Sequence, residues 1–169
     1  MKYTSIIVED LQPAAEFLKR YCDRSGIVEV QGHFLNAEDA LTFLSENLVD
    51  LIFLDVEMPG LSGFELMDRL VYTPQIILTT SKTEYAYEAF QYNVTDYLRK
   101  PFTYQRFLES LQKVQVRKDE QDEESGRDHI FIKADGKLVR LENEDILYVE
   151  SMGDYVKFIT TDKKYITHN

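Results

Sequence analysis

"LIFLDVEMPG", residues 51–60, sets four apolar residues in a row, ends them on Asp55 and then turns at Pro59-Gly60. With the preceding "VD" the run reads as a strand that is apolar on both faces, as required of a strand covered on both sides. A carboxylate at the end of such a strand is costly unless something cationic or reactive makes use of it.

Outward from this stretch, short β-rich runs alternate with amphipathic ones. "YTSIIVED" is a first strand, followed by a helix over "PAAEFLKRYCDR" with Pro13 at its first position. "IVEVQGHF" is a second strand, and Asn36 caps a helix "AEDALTFLSEN", with Asp39 completing an imperfect capping box. Beyond Asp55, Ser62 and Glu65 cap "GFELMDRLVY"; "QIILTT" is a fourth strand, "EYAYEAFQYN" a fourth helix and "DYLRK" a fifth strand. Thr103 then caps a last helix, "YQRFLESLQKVQVRK". Strands and helices in strict alternation predict a doubly wound parallel sheet, since parallel neighbours need helical crossovers.

After this region the composition changes. "RKDEQDEESGRD" is almost free of apolar residues and reads as an acidic linker, placed over residues 119–128. Residues 129–169 then turn β-rich, with a hairpin signal at Asp135-Gly136 and further breaks at Gly153-Asp154 and "TDKK".

The 169 residues carry a formal net charge of −11, which speaks against a surface that embraces nucleic acid everywhere. The single cysteine, Cys22, allows no internal disulfide and no cysteine metal cluster, and suits the reducing cytosol. No run reaches the roughly 18 apolar residues of a membrane span, so a cytoplasmic location is expected. His33, His129 and His168 show no metal-ligand spacing and are read as structural.

Two strands end in acids: Glu9 and Asp10 after "IIV", and Asp55 after "IFL". In an open parallel sheet, sites form at the carboxyl ends of the strands. Carboxylates converging there repel one another unless a cation sits among them, and hard oxygen ligands suit Mg²⁺ with a phosphate oxygen completing its shell. The remaining strand ends supply hydroxyls at Thr79, Thr80 and Ser81, and an ammonium at Lys100. Together these are sufficient to move a phosphoryl group onto an aspartate.

"VED", "LDVEMPGLSGFEL", "TTS" and "DYLRKPF", in that order and at strand ends, resemble the receiver domain of two-component response regulators over nearly all of residues 2–118. The resemblance implies a flavodoxin-like five-stranded sheet of order 2-1-3-4-5. It implies Asp55 as phospho-acceptor, Mg²⁺ held by Glu9, Asp10, Asp55 and the backbone carbonyl of Glu57, and phosphoryl oxygens gripped by Thr80, Lys100 and Ser81. Thr80 and Tyr97 would be the switch pair, and the Lys100-Pro101 bond a cis peptide. Implied partners are a histidine kinase and a second copy through the face of the fourth helix, fifth strand and fifth helix. Apart from its own phosphorylation and dephosphorylation, such a chain is no enzyme. Glu57 and Lys82 flank the site and are placed to tune dephosphorylation.

A phosphatase of the haloacid-dehalogenase type also uses an aspartyl-phosphate, but its second acid would fall at Glu57, before Met58, on a third strand and with no large cap domain. A pseudo-receiver that binds partners without phosphorylation is the alternative within the same fold. "EDILYVESMGDYVKFIT" within residues 129–169 resembles the opening of a LytTR domain, a β-rich DNA-binding module. The output implied is DNA binding and transcription regulation by a longer parent, with no DNA-contacting residue assignable. A short protein whose β tail docks a partner is the other expectation for the end at Asn169.

Overall fold

The computed structural model describes residues 2–124 and 129–168. Strands β1 (Tyr3–Val8), β2 (Val28–Phe34), β3 (Leu51–Asp55), β4 (Gln75–Thr80) and β5 (Asp96–Arg99) form one sheet of order β2-β1-β3-β4-β5 with every pairing parallel. This is the flavodoxin-like order, and the helices between strands cover both faces: α1 (Gln12–Ser25), α2 (Ala37–Leu44), α3 (Gly63–Asp68), α4 (Ala86–Gln91) and α5 (Tyr104–Glu124).

Strand alternation divides the core in two. Ile6, Val8, Ile52, Leu54 and Leu78 face α2, α3 and Ala89 of α4, whereas Ile7, Leu51, Phe53, Ile77 and Leu98 face α1 and α5. All five residues of β3 are buried, which is why its sequence carries no polar alternation. Cys22 is fully buried on α1, a small apolar core residue.

Capping follows the sequence signals. The Asn36 side chain accepts from the Asp39 N–H at 2.8 Å, Ser62 and Glu65 form a reciprocal capping box, and Thr103 accepts from the Arg106 N–H at 3.1 Å. Helix boundaries depart from the periodicity. Pro13 stands at the second helical position rather than the first. Helix α3 stops at Asp68, because Tyr72 turns into the core and accepts the Val49 N–H at 2.9 Å. Helix α5 runs on to Glu124, so residues 119–124 of the expected linker are helical. Their Glu and Gln residues are good helix formers, so the last helix runs on into the acidic stretch. Residues 125–128 of that linker lie outside the described residues.

The C-terminal segment forms two antiparallel sheets. β6 (His129–Ala134) and β7 (Lys137–Glu142) are a hairpin turning on Asp135 and Gly136, both with positive φ (54° and 73°) as a tight two-residue turn requires. β8 (Ile146–Met152), β9 (Tyr155–Thr160) and β10 (Lys164–His168) form the second sheet, in order β10-β9-β8.

One glycine sets how closely α3 approaches the end of β3. A Cβ on Gly63 would stand 2.6 Å from the Asp55 carbonyl oxygen and 3.2 Å from the Val56 Cα. Gly63→Ala is therefore expected to cost about 1–3 kcal/mol, seen as a lower urea midpoint. An unchanged midpoint would show that the α3 terminus has room to move.

Candidate phosphoryl-acceptor site

Parallel pairing of β1 with β3, with Val8 beside Leu54, brings the residues just beyond Val8 and Leu54 to one edge. Glu9, Asp10 and Asp55 each offer an oxygen within 4.8 Å of the others. Glu9 is only 3% exposed and Asp55 only 5%, so water screens their mutual repulsion poorly. The cation supplied by the protein is Lys100, beyond β5. Its Nζ lies 2.7 Å from Glu9 Oε2 and 3.7 Å from Asp55 Oδ2.

Main-chain donors share the load: the Leu11 N–H reaches Glu9 Oε1 at 3.3 Å, and the Glu57 N–H reaches Asp55 Oδ1 at 3.4 Å. Three carboxylates and one ammonium remain unbalanced. Burial pushes the Asp55 carboxyl up to about 7, opposed by Lys100 and reinforced by the charge of Glu9. His33, structural in the sequence reading, donates from Nε2 to the Glu9 carbonyl at 2.9 Å and so anchors the strand end that carries the acids.

The hydroxyls stand on the neighbouring strand. Thr79 is in register with Asp55, and both Thr79 and Thr80 are buried, whereas Ser81 is exposed just beyond. Thr80 Oγ1 accepts the Lys82 N–H at 3.2 Å, and its carbonyl accepts the Lys100 N–H at 2.7 Å. The Tyr97 hydroxyl donates to the Lys82 carbonyl. One residue, Lys82, thus ties down both members of the expected switch pair. The Lys100-Pro101 peptide is cis.

The Glu57 side chain is directed away from the acids. Its Oε1 pairs with Lys82 Nζ at 2.7 Å and accepts from the Tyr85 hydroxyl at 2.6 Å, and both partners hold its carboxyl below the usual range. Tyr85 in this role was not legible in the sequence: it sits among other tyrosines on the α4 segment, and nothing in the spacing distinguishes it. Nor was the link through the Lys82 backbone, since main-chain partners leave no mark on side-chain identity.

The fold and this edge can be set against known proteins. The family model of the response regulator receiver domain matches residues 6–112. The chain belongs to that family. The sensory transduction protein LytT of Bacillus anthracis is 30% identical over 177 residues, spanning 97% of this chain and 72% of LytT. The transcriptional regulatory protein YpdB of Escherichia coli K12 is 30% identical over 172 residues, spanning 95% of this chain and 70% of YpdB. Among solved structures, the response regulatory domain of protein mrkE from Klebsiella pneumoniae is 35% identical with a TM-score of 0.65, covering 70% of this chain and 99% of that domain. Similarity to LytT continues past the receiver into the β segment, which fits the start of a LytTR-type module. Among the described residues, no helix is long and apolar enough to cross a membrane.

The raised Asp55 carboxyl has a pH signature. A folded-state value above the ordinary one means stability is complete below about pH 4 and falls as pH rises through about 7. Asn in place of Asp55 cannot ionise and escapes that loss. Without divalent cations, the stability advantage of Asp55→Asn should widen by about 2 kcal/mol between mildly acidic and mildly alkaline urea titrations. A constant gap would contradict the burial argument.

Proposed function

We propose that this response regulator receives its signal as a phosphoryl group on Asp55, donated by the phosphohistidine of a histidine kinase in the cytoplasm. What carries the proposal is the gathering of Glu9, Asp10 and Asp55 oxygens within 4.8 Å, with Lys100 Nζ 3.7 Å from the acceptor. The donor set is all hard oxygen, buried and over-charged, and it fits Mg²⁺. Glu9, Asp10, Asp55 and the Glu57 backbone carbonyl would hold the ion. Bound there, Mg²⁺ neutralises charge on the phosphoryl oxygens.

An Asp55 carboxylate oxygen forms the new bond to phosphorus as the bond to the imidazole nitrogen breaks, its electron pair staying on the ring. The acyl phosphate presents more negative charge than the carboxylate did. Lys100 turns toward it from Glu9, and Thr80 gives up the Lys82 N–H to donate its hydroxyl, with Ser81 beside it. Because the Tyr97 hydroxyl rests on the Lys82 carbonyl, that shift releases the ring. Apart from its own phosphorylation and dephosphorylation, the chain catalyses nothing.

The face of α4, β5 and α5 is where the change would be read. Tyr87 and Phe90 there are 73% and 84% exposed and offer a partner two uncovered rings. Pairing of two receivers through this face suits an output that binds a two-half-site operator. The output is transcription regulation through LytTR-type DNA binding, a proposal supported by the likeness to LytT and YpdB.

Incubation with acetyl phosphate and Mg²⁺ should add one phosphate to the intact mass, located on the peptide containing Asp55. Asp55→Asn should add none, and labelling that persists in it would assign the acceptor elsewhere. Separately, phosphorylated wild-type chain should sediment as a dimer, whereas Phe90→Asp should take up phosphate equally well and remain monomeric. A Phe90→Asp dimer of undiminished affinity would remove this face from the mechanism.

A further inference from the structure

The β6–β7 hairpin has two apolar faces where a solvated hairpin needs one. Ile130, Ile132, Val139 and Leu141 pair across the strands and face the small core of the C-terminal segment, with Ile146, Phe158 and Tyr165. The opposite face pairs Phe131 with Arg140 and Lys133 with Leu138. By alternation Phe131 and Leu138 belong to the water side, yet both pack against the receiver core. Phe131 meets the ring of Tyr72 edge-on, with centroids 5.7 Å apart.

A main-chain bond fixes the same contact. Ser45 is the C-terminal cap residue of α2, and its carbonyl belongs to the helix end that lacks an intrahelical partner. The N–H of Leu138, on the outer edge of β7, donates to that carbonyl at 2.7 Å. An unpaired helix end and an unpaired sheet edge satisfy each other, as buried backbone groups must.

We propose that the α2–α3 end of the receiver is a docking surface for the β6–β7 hairpin, and that this latch fixes how the output module is held on the receiver. The latch sits at the start of β3 and β4, where Val49 and Tyr72 meet, at the opposite end of the strands from Asp55. It leaves Tyr87 and Phe90 exposed, so a second receiver and the module occupy different surfaces. The latch adds apolar cover to a small core: among the described residues of the segment the buried apolar side chains are Ile132, Ala134, Leu141 and Ile159, besides partly buried ones. The inference does not depend on Asp55 being phosphorylated.

Hydrogen exchange on the full chain tests it. The Leu138 amide faces away from β6, so in a free hairpin it would exchange with solvent rapidly. In the wild type it should be protected, and Phe131→Ala should speed its exchange at least tenfold. The amides of Ile132 and Val139, inside the hairpin ladder, should keep their protection. A Leu138 amide that exchanges freely in the wild type, or is unmoved by Phe131→Ala, would overturn the latch. If Phe131→Ala unravels the whole hairpin, Ser45→Cys with Leu138→Cys in a Cys22→Ala background decides instead. Backbones joined by this hydrogen bond stand within reach of a disulfide, which should form in air; its failure to form overturns the proposal.

Discussion

Three carboxylates held against a single ammonium, at the carboxyl edge of a buried sheet, form the constraint on which the rest of this receiver depends. Glu9 and Asp55 lie almost wholly out of water, and Lys100 satisfies one of them at 2.7 Å while standing 3.7 Å from the other. The imbalance is built in by topology. Parallel β1 and β3 are neighbours, so the acids after one strand must meet the acid that ends the other. The protein tolerates this by burying apolar strands on both faces beneath the site and by keeping Asp55 ready to take a proton. A pocket that is costly when short of positive charge favours a cation, and then a phosphoryl group, more strongly than a neutral one would.

The connection from this edge to the surface is short. Thr80 and Tyr97 both hold the backbone of Lys82, one through its N–H and the other through its carbonyl. The Lys82 side chain meanwhile pins Glu57, beyond the acceptor strand, with help from Tyr85. A displacement of one peptide therefore loosens the β4–α4 connection and the tyrosine together. The hairpin latch sits at the other end of the strands, where Tyr72 and Ser45 hold Phe131 and Leu138. The acidic edge and the hairpin contact thus stand at opposite ends of one sheet.

Much of this was legible in the residues. The unbroken apolar run before Asp55 announced a strand buried on both faces, and acids, hydroxyls and a lysine at successive strand ends announced the site. Helix lengths were less legible, because composition does not show where tertiary packing takes over. Tyr72 leaves helical periodicity to accept the Val49 N–H, and residues 119–124 are helix where charge alone suggested the start of a linker. The contacts that tie the site to its surroundings were illegible for a different reason. Lys82 and Ser45 act through peptide groups, which every residue possesses. Phe131 and Leu138 were visible only as ordinary strand residues until the register showed which face each occupies.

The crowded acidic edge should be stabilised by a divalent cation. Thermal unfolding of the wild type and of Asp10→Ala, with and without millimolar Mg²⁺ at about pH 6 and about pH 8, tests it most directly. Saturating ion should stabilise the wild type by a few kcal/mol, about 2.7 at a hundredfold excess over Kd. The gain should be larger at the higher pH, where Asp55 no longer competes with a proton, and Asp10→Ala should lose most of it. A Mg²⁺ effect that is absent, insensitive to pH or undiminished in Asp10→Ala would contradict the account.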